Sequence, residues 1–160
     1  MDRQRYVLWV DDDGRDRFLY ELSILEENGL VTDWAFDAEE AISLLSKKNY
    51  DLVLLDQVFP VGRKSSYKDV WSGCRLLYWL RGEELPAEAP QGALWAGVLD
   101  MLQPLEENSY VPVIIISGFQ DDFVDKALHE KSQGITIFPK PVNGDKLLAK
   151  IDQLMPREPS

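Results

Sequence analysis

The chain has 160 residues, 45% of them hydrophobic and 28% charged. That suits one soluble globular domain and excludes a disordered or fibrous chain. No apolar run approaches the ~20 residues of a membrane helix, and the start, Met1 to Arg5, lacks a signal-peptide apolar region. A cytoplasmic protein is expected. The net charge of −11 repels a phosphate backbone and argues against direct nucleic-acid binding. One cysteine, Cys74, allows neither an internal disulfide nor a cysteine metal cluster. It reads as a small apolar helix residue. The single histidine, His129, excludes a multi-histidine metal site and reads as a surface helix residue.

Short apolar runs alternate with stretches of helical period. Residues 6–10 read as a strand. Residues 15–28 read as a helix with Phe18, Leu19, Leu22 and Leu25 on one face and Gly29 as its stop. Residues 31–36 form a second predicted strand. Asp37, with Glu40 three residues on, starts a second helix that carries Ala38, Ala41, Ile42 and Leu45 inward and ends near Asn49. Residues 52–55, 111–116 and 135–138 are the next three strands. Helices near 121–132 and 143–154 follow the last two. Strands apolar on both faces belong in a parallel sheet covered by helices on both sides. The expected fold is α/β, a doubly wound (βα)5 domain over residues 1–156, with 157–160 as a frayed tail.

About 55 residues separate the third and fourth strands, where one helix and two loops need only ~20–25. The excess falls at 61–72 and 83–109. The first is expected to be a long loop, with Arg63, Lys64 and Lys68 as a solvated face. The second carries Leu94, Trp95, Val98, Leu99 and Leu102 at helical spacing over 92–103, with Pro104 as the stop. This extra helix is expected to pack on the domain and is a candidate partner surface.

Ligands of open parallel sheets bind beyond the carboxyl ends of the strands. The first strand runs into Asp11, Asp12 and Asp13, the third into Asp56, the fourth into Ser117 and Gly118, the fifth into Lys140 and Pro141. Clustered carboxylates need a cation, and hard oxygen ligands suit Mg2+. A carboxylate beside Mg2+ and an ammonium stays ionised and can attack phosphorus. The metal and the amine can neutralise the oxygens of a transferring phosphoryl group, and a serine hydroxyl can donate to one of them.

In this order, at these strand ends, Asp11-Asp12, Leu54-Leu55-Asp56 with Pro60, Ser117-Gly118 and Lys140-Pro141 resemble a response regulator receiver domain of two-component signalling. The resemblance covers residues 5–60 and 110–155. It implies a flavodoxin-like sheet of strand order 2-1-3-4-5, with the extra helical insertion between strands 3 and 4. It implies that Asp56 accepts the phosphoryl group, that Asp12 and Asp56 bind Mg2+ with Asp11 in support and the Val58 carbonyl as a further ligand, and that Ser117 and Lys140 contact the phosphoryl oxygens. Lys140-Pro141 is expected to be cis. Implied partners are a sensor histidine kinase or histidine phosphotransfer protein and a downstream protein effector; a homodimer stays open. The implied role is a phosphorylation switch, not an enzyme that turns over a separate substrate.

The family's switch aromatic, three residues before the lysine, is replaced by Ile137, with Phe138 expected on the opposite face. Val58 and Phe119, together with Gly118, flank the expected approach of water to an acyl phosphate. Neither Val58 nor Phe119 can orient that water, so a long-lived aspartyl phosphate is expected. Two alternatives compete: a degenerate receiver that binds partners without phosphorylation, and a phosphohydrolase of the haloacid dehalogenase type. The second needs an acid two residues after the nucleophile, where this chain has Val58.

Overall fold

The computed structural model describes residues 3–63, 65, 68–118, 121–129 and 135–156. Phe119, Lys64, the end of the predicted helix at 130–132 and the tail at 157–160 lie outside them.

Five parallel strands form the sheet: β1 (Arg5–Val10), β2 (Leu30–Ala35), β3 (Leu52–Asp56), β6 (Val113–Ser117) and β7 (Ile135–Pro139). Their order is β2-β1-β3-β6-β7, the doubly wound flavodoxin-like arrangement. β3 lies at the centre and all five of its residues are buried, which is why it is apolar on both sides. Alternation splits the core. Leu8, Val10, Val53, Leu55, Val113 and Ile115 face α2 (Ala38–Leu45), α3 (Ser72–Arg81) and α5 (Asp122–His129). Val7, Trp9, Leu52, Leu54, Ile114 and Ile116 face α1 (Leu19–Glu27) and α6 (Gly144–Leu154).

Several local expectations shift. The first predicted helix opens as a 3-10 turn over Arg15–Phe18 before α1 begins. A 3-10 turn advances three residues per turn rather than 3.6, which rotates the face that follows. Leu22 and Leu25 are buried, but Leu19 is exposed. The fourth core strand starts at Val113, not 111, because Pro112 has no N–H for the ladder. Its carbonyl accepts from Val53 N at 3.0 Å. Asp37 caps α2 by accepting from Glu40 N at 2.8 Å, and Glu40 reaches back to Phe36 N at 3.1 Å. Cys74 is buried in α3 and His129 is exposed.

The predicted loop at 61–72 contains half of a β-hairpin. β4 (Phe59–Pro60) pairs antiparallel with β5 (Lys68–Asp69). The extra helix is α4 (Ala93–Leu99), shorter than expected. Trp95 is buried and Val98 and Leu99 pack on the core, whereas Leu94 and Leu102 are exposed. A second 3-10 turn, Glu106–Tyr110, leads back to the sheet. Its Asn108 is fully buried. The side-chain amide donates to Leu45 O at 2.9 Å and Lys48 O at 2.7 Å and accepts from Tyr50 N at 2.9 Å.

Candidate functional site

The ladder register delivers the site. Val10 pairs with Leu55, so the next residues, Asp11 and Asp56, emerge side by side. Ser117 pairs with Pro139, so Lys140 follows one step beyond the serine. This edge lies at the switch point between β1 and β3, where the strand order reverses.

Carboxylate oxygens of Asp11, Asp12 and Asp56 all lie within 4.8 Å of one another. Lys140 Nζ donates to Asp56 Oδ2 at 3.2 Å and lies 3.9 Å from both Asp11 Oδ2 and Asp13 Oδ2. Asp11 is fully buried. Its Oδ1 accepts from Asp13 N at 2.9 Å, while its Oδ2 receives no hydrogen bond among the described residues. Trp34 Nε1 donates to the Asp11 carbonyl at 2.9 Å and its ring packs against Trp9 and Phe18. Val58 N stands 3.5 Å from Asp56 Oδ1, and Val58 is half-buried. Lys140-Pro141 is cis.

Two glycines permit this crowding. A Cβ on Gly118 would come within 3.3 Å of Lys140 Cβ and 3.4 Å of its Cδ. A Cβ on Gly73 would meet the Asp56 carbonyl at 2.8 Å, so α3 can start against the end of β3 only because residue 73 lacks one.

Burial, reinforced by the charge of Asp56, pushes the Asp11 carboxyl from 3.8 up to about 7. Burial also raises Asp56, against the pull of Lys140. Desolvation acts to lower Lys140, but the Asp56 and Asp11 carboxylates outweigh it and hold the ammonium above its ordinary range. Burial thus opposes ionisation of both Asp11 and Asp56, and added positive charge at this edge favours it. The unbonded buried oxygen on Asp11 and the spacing of three carboxylates fit a small oxygen-seeking divalent cation.

Two participants were not legible in the sequence. Lys68, expected on a solvated face, forms an ion pair with Asp12. Arg63 of the same predicted face pairs with Glu40 at 2.8 Å. Gln57, buried beside Asp56, accepts a hydrogen bond from the Ser117 hydroxyl, and its Nε2 is buried without a partner among the described residues. Ile137 is exposed and Phe138 is buried in the core on the α1/α6 side, so neither aromatic nor aliphatic bulk at 137 lies inside the sheet edge.

Solved structures share this architecture. The receiver domain of the Francisella response regulator 1452 is 24% identical, over 94% of this chain and 95% of its own, with a TM-score of 0.61. A two-component response regulator from Clostridium difficile is 21% identical, over 95% and 96%, with a TM-score of 0.63. A CheY-like receiver domain protein from Methanospirillum hungatei JF-1 is 20% identical, over 94% and 93%, with a TM-score of 0.61. The chain has the receiver-domain fold. No protein-family model and no curated protein matches it. The receiver fold here differs from a minimal (βα)5 plan in the β4–β5 hairpin and the α4 segment.

Proposed function

We propose that residues 1–156 are a single receiver domain of two-component signalling that is phosphorylated on Asp56 with the help of Mg2+. The observation that carries this reading is the convergence of Lys140 on Asp56 at 3.2 Å, with Asp11 and Asp12 carboxylates within 4.8 Å, at the switch point of the sheet. Asp56 would attack the phosphorus of a phosphohistidine donor. The new bond is O–P, and the P–N bond breaks with its electron pair leaving on the imidazole. Asp12, Asp56 and the Val58 carbonyl would hold Mg2+, with Asp11 in support. When bound, the ion supplies positive charge to the phosphoryl oxygens. Lys140 neutralises a further oxygen. Ser117 leaves Gln57 to donate to the phosphoryl group, and that exchange of partners is the switch. The donor is a sensor histidine kinase or phosphotransfer protein, and a downstream effector protein reads the result in the cytoplasm.

A second reading, a receiver that binds partners without phosphorylation, is favoured by one observation. Asp12 and Ser117 already have partners within the chain, Lys68 and Gln57. Beryllofluoride, which mimics a phosphoryl group on a carboxylate, separates the two. The first reading expects Mg2+-dependent beryllofluoride binding that changes the fluorescence of Trp34 and is lost in Asp56→Asn. Absence of any beryllofluoride response in the wild type would favour the second.

A further inference from the structure

Among the described residues, four carboxylates and two ammonium groups meet at the ligand edge. Lys140 serves Asp56, Asp11 and Asp13. Among the described residues, the ion pair at Asp12 is made by Lys68. Lys68 does not come from a core strand. It is the first residue of β5, on the hairpin that the insertion adds.

The hairpin aims it. Asp69, the next residue, points inward and is buried. Asp69 accepts from Trp71 N at 2.9 Å and from the buried Arg75 Nε at 2.8 Å. The Ser72 hydroxyl sits 2.6 Å from Phe59 O and 2.7 Å from Asp69 O, clamping both strands. Phe59 packs edge-on against Trp95 of α4, with ring centres 6.0 Å apart. Side chains alternate along a strand, so anchoring Asp69 inside turns Lys68 outward onto Asp12. The Lys68 side chain is itself 52% exposed, so its ammonium can leave without disturbing the core.

We propose that Lys68 is a tethered counter-ion that competes with Mg2+ for Asp12, so that the hairpin sets the metal affinity of the site. The proposal rests on the Mg2+ reading above. An ammonium in contact with a carboxylate repels a divalent cation on the same group; Lys140 is held against that repulsion by three carboxylates, whereas the half-exposed Lys68 can swing away. Mg2+ binding therefore drives Lys68 towards solvent. Because the lysine side of this ion pair is half exposed, the pair is weak enough that the competition tunes affinity rather than blocking it. Removing the amine is expected to tighten Mg2+ binding about 3–10-fold.

The test is titration of the full chain with MgCl2, read by tryptophan fluorescence and by NMR of the lysine side chains. The proteins are wild type, Lys68→Met, Lys68→Arg and Asp12→Asn. The expected result is tighter Mg2+ binding in Lys68→Met and wild-type affinity in Lys68→Arg. In the wild type, Mg2+ should move the Lys68 signal towards its position in metal-free Asp12→Asn. Equal or weaker binding in Lys68→Met overturns this proposal alone, as does a Lys68 signal that stays fixed while Mg2+ binds. No Mg2+ binding in either wild type or Lys68→Met overturns the metal reading and this proposal with it.

Discussion

Burial, reinforced by the neighbouring Asp56 charge, pushes the Asp11 carboxyl up to about 7. An unfolded chain releases that proton near 3.8. The folded state thus binds the extra proton, and the stability this contributes is full below about 3.8 and is lost as pH rises towards 7. Above that the ionised cluster strains the fold until a cation joins it. Mg2+ is therefore expected to raise the Tm more at about pH 8 than at about pH 5.5, as scanning fluorimetry can show. Equal shifts at both values would remove Asp11 from the metal site. Lys140 acts on the same oxygens from the other side. Lys140→Ala should slow phosphorylation about 100-fold or more, since a preorganised charge is lost where charge develops. Rates from phosphodonor time courses check this, and an unchanged rate would take Lys140 out of the chemistry. At Val58 the expectation concerns loss rather than gain of phosphate. Val58→Asn supplies a group that can orient water and should shorten the lifetime of the aspartyl phosphate about 10-fold. Identical decay in wild type and variant would show that this side chain does not set the lifetime.

The insertions are built into the domain by their elements. Trp95 of α4 fills the space against Phe59, and Trp79 Nε1 donates to Leu99 O at 3.0 Å. Arg75 links Asp69 of the hairpin to Pro90 O at 2.6 Å. Trp95→Ala should cost about 3–5 kcal/mol in urea unfolding. Arg75→Met should cost a similar ~3–5 kcal/mol, because it strands Asp69 as a buried charge without its partner. Losses below about 1 kcal/mol in both would mean that the insertion hangs on the domain without supporting it. The core strands and the main helices were legible because apolar runs of about four to five residues and a 3.6-residue period each extend over enough chain to register. The hairpin was not. Two-residue strands carry no period, and Pro60 in β4 argues against a strand at all. Leu19 and Leu94 share the apolar stripes of their helices in sequence and yet lie outward for a related reason. Each sits in the first turn of its helix, where the phase is set by the preceding turn and not by the repeat.

At the level of the molecule, a parallel sheet sends every strand's carboxyl end to one edge, and that rule alone gathers Asp11, Asp12, Asp56, Ser117 and Lys140 from 130 residues of sequence. Lys68 and Gln57 escape it. Lys68 reaches the edge from an insertion whose path the strand pattern does not specify. Gln57, one residue beyond β3, looks like loop until the ladder bond from its N to Ile116 O, 3.0 Å long, carries it inward beside Ser117. The fold of the chain is shared with receivers 20–24% identical to it, and for the carboxylates clustered at its ligand edge we propose phosphorylation at Asp56. Intact-mass spectrometry after incubation with acetyl phosphate tests that chemistry most directly. Wild type with Mg2+ should gain the mass of one phosphoryl group, and should gain none with EDTA or as Asp56→Asn. Equal labelling of Asp56→Asn, or no labelling of the wild type with Mg2+, would contradict phosphorylation at Asp56.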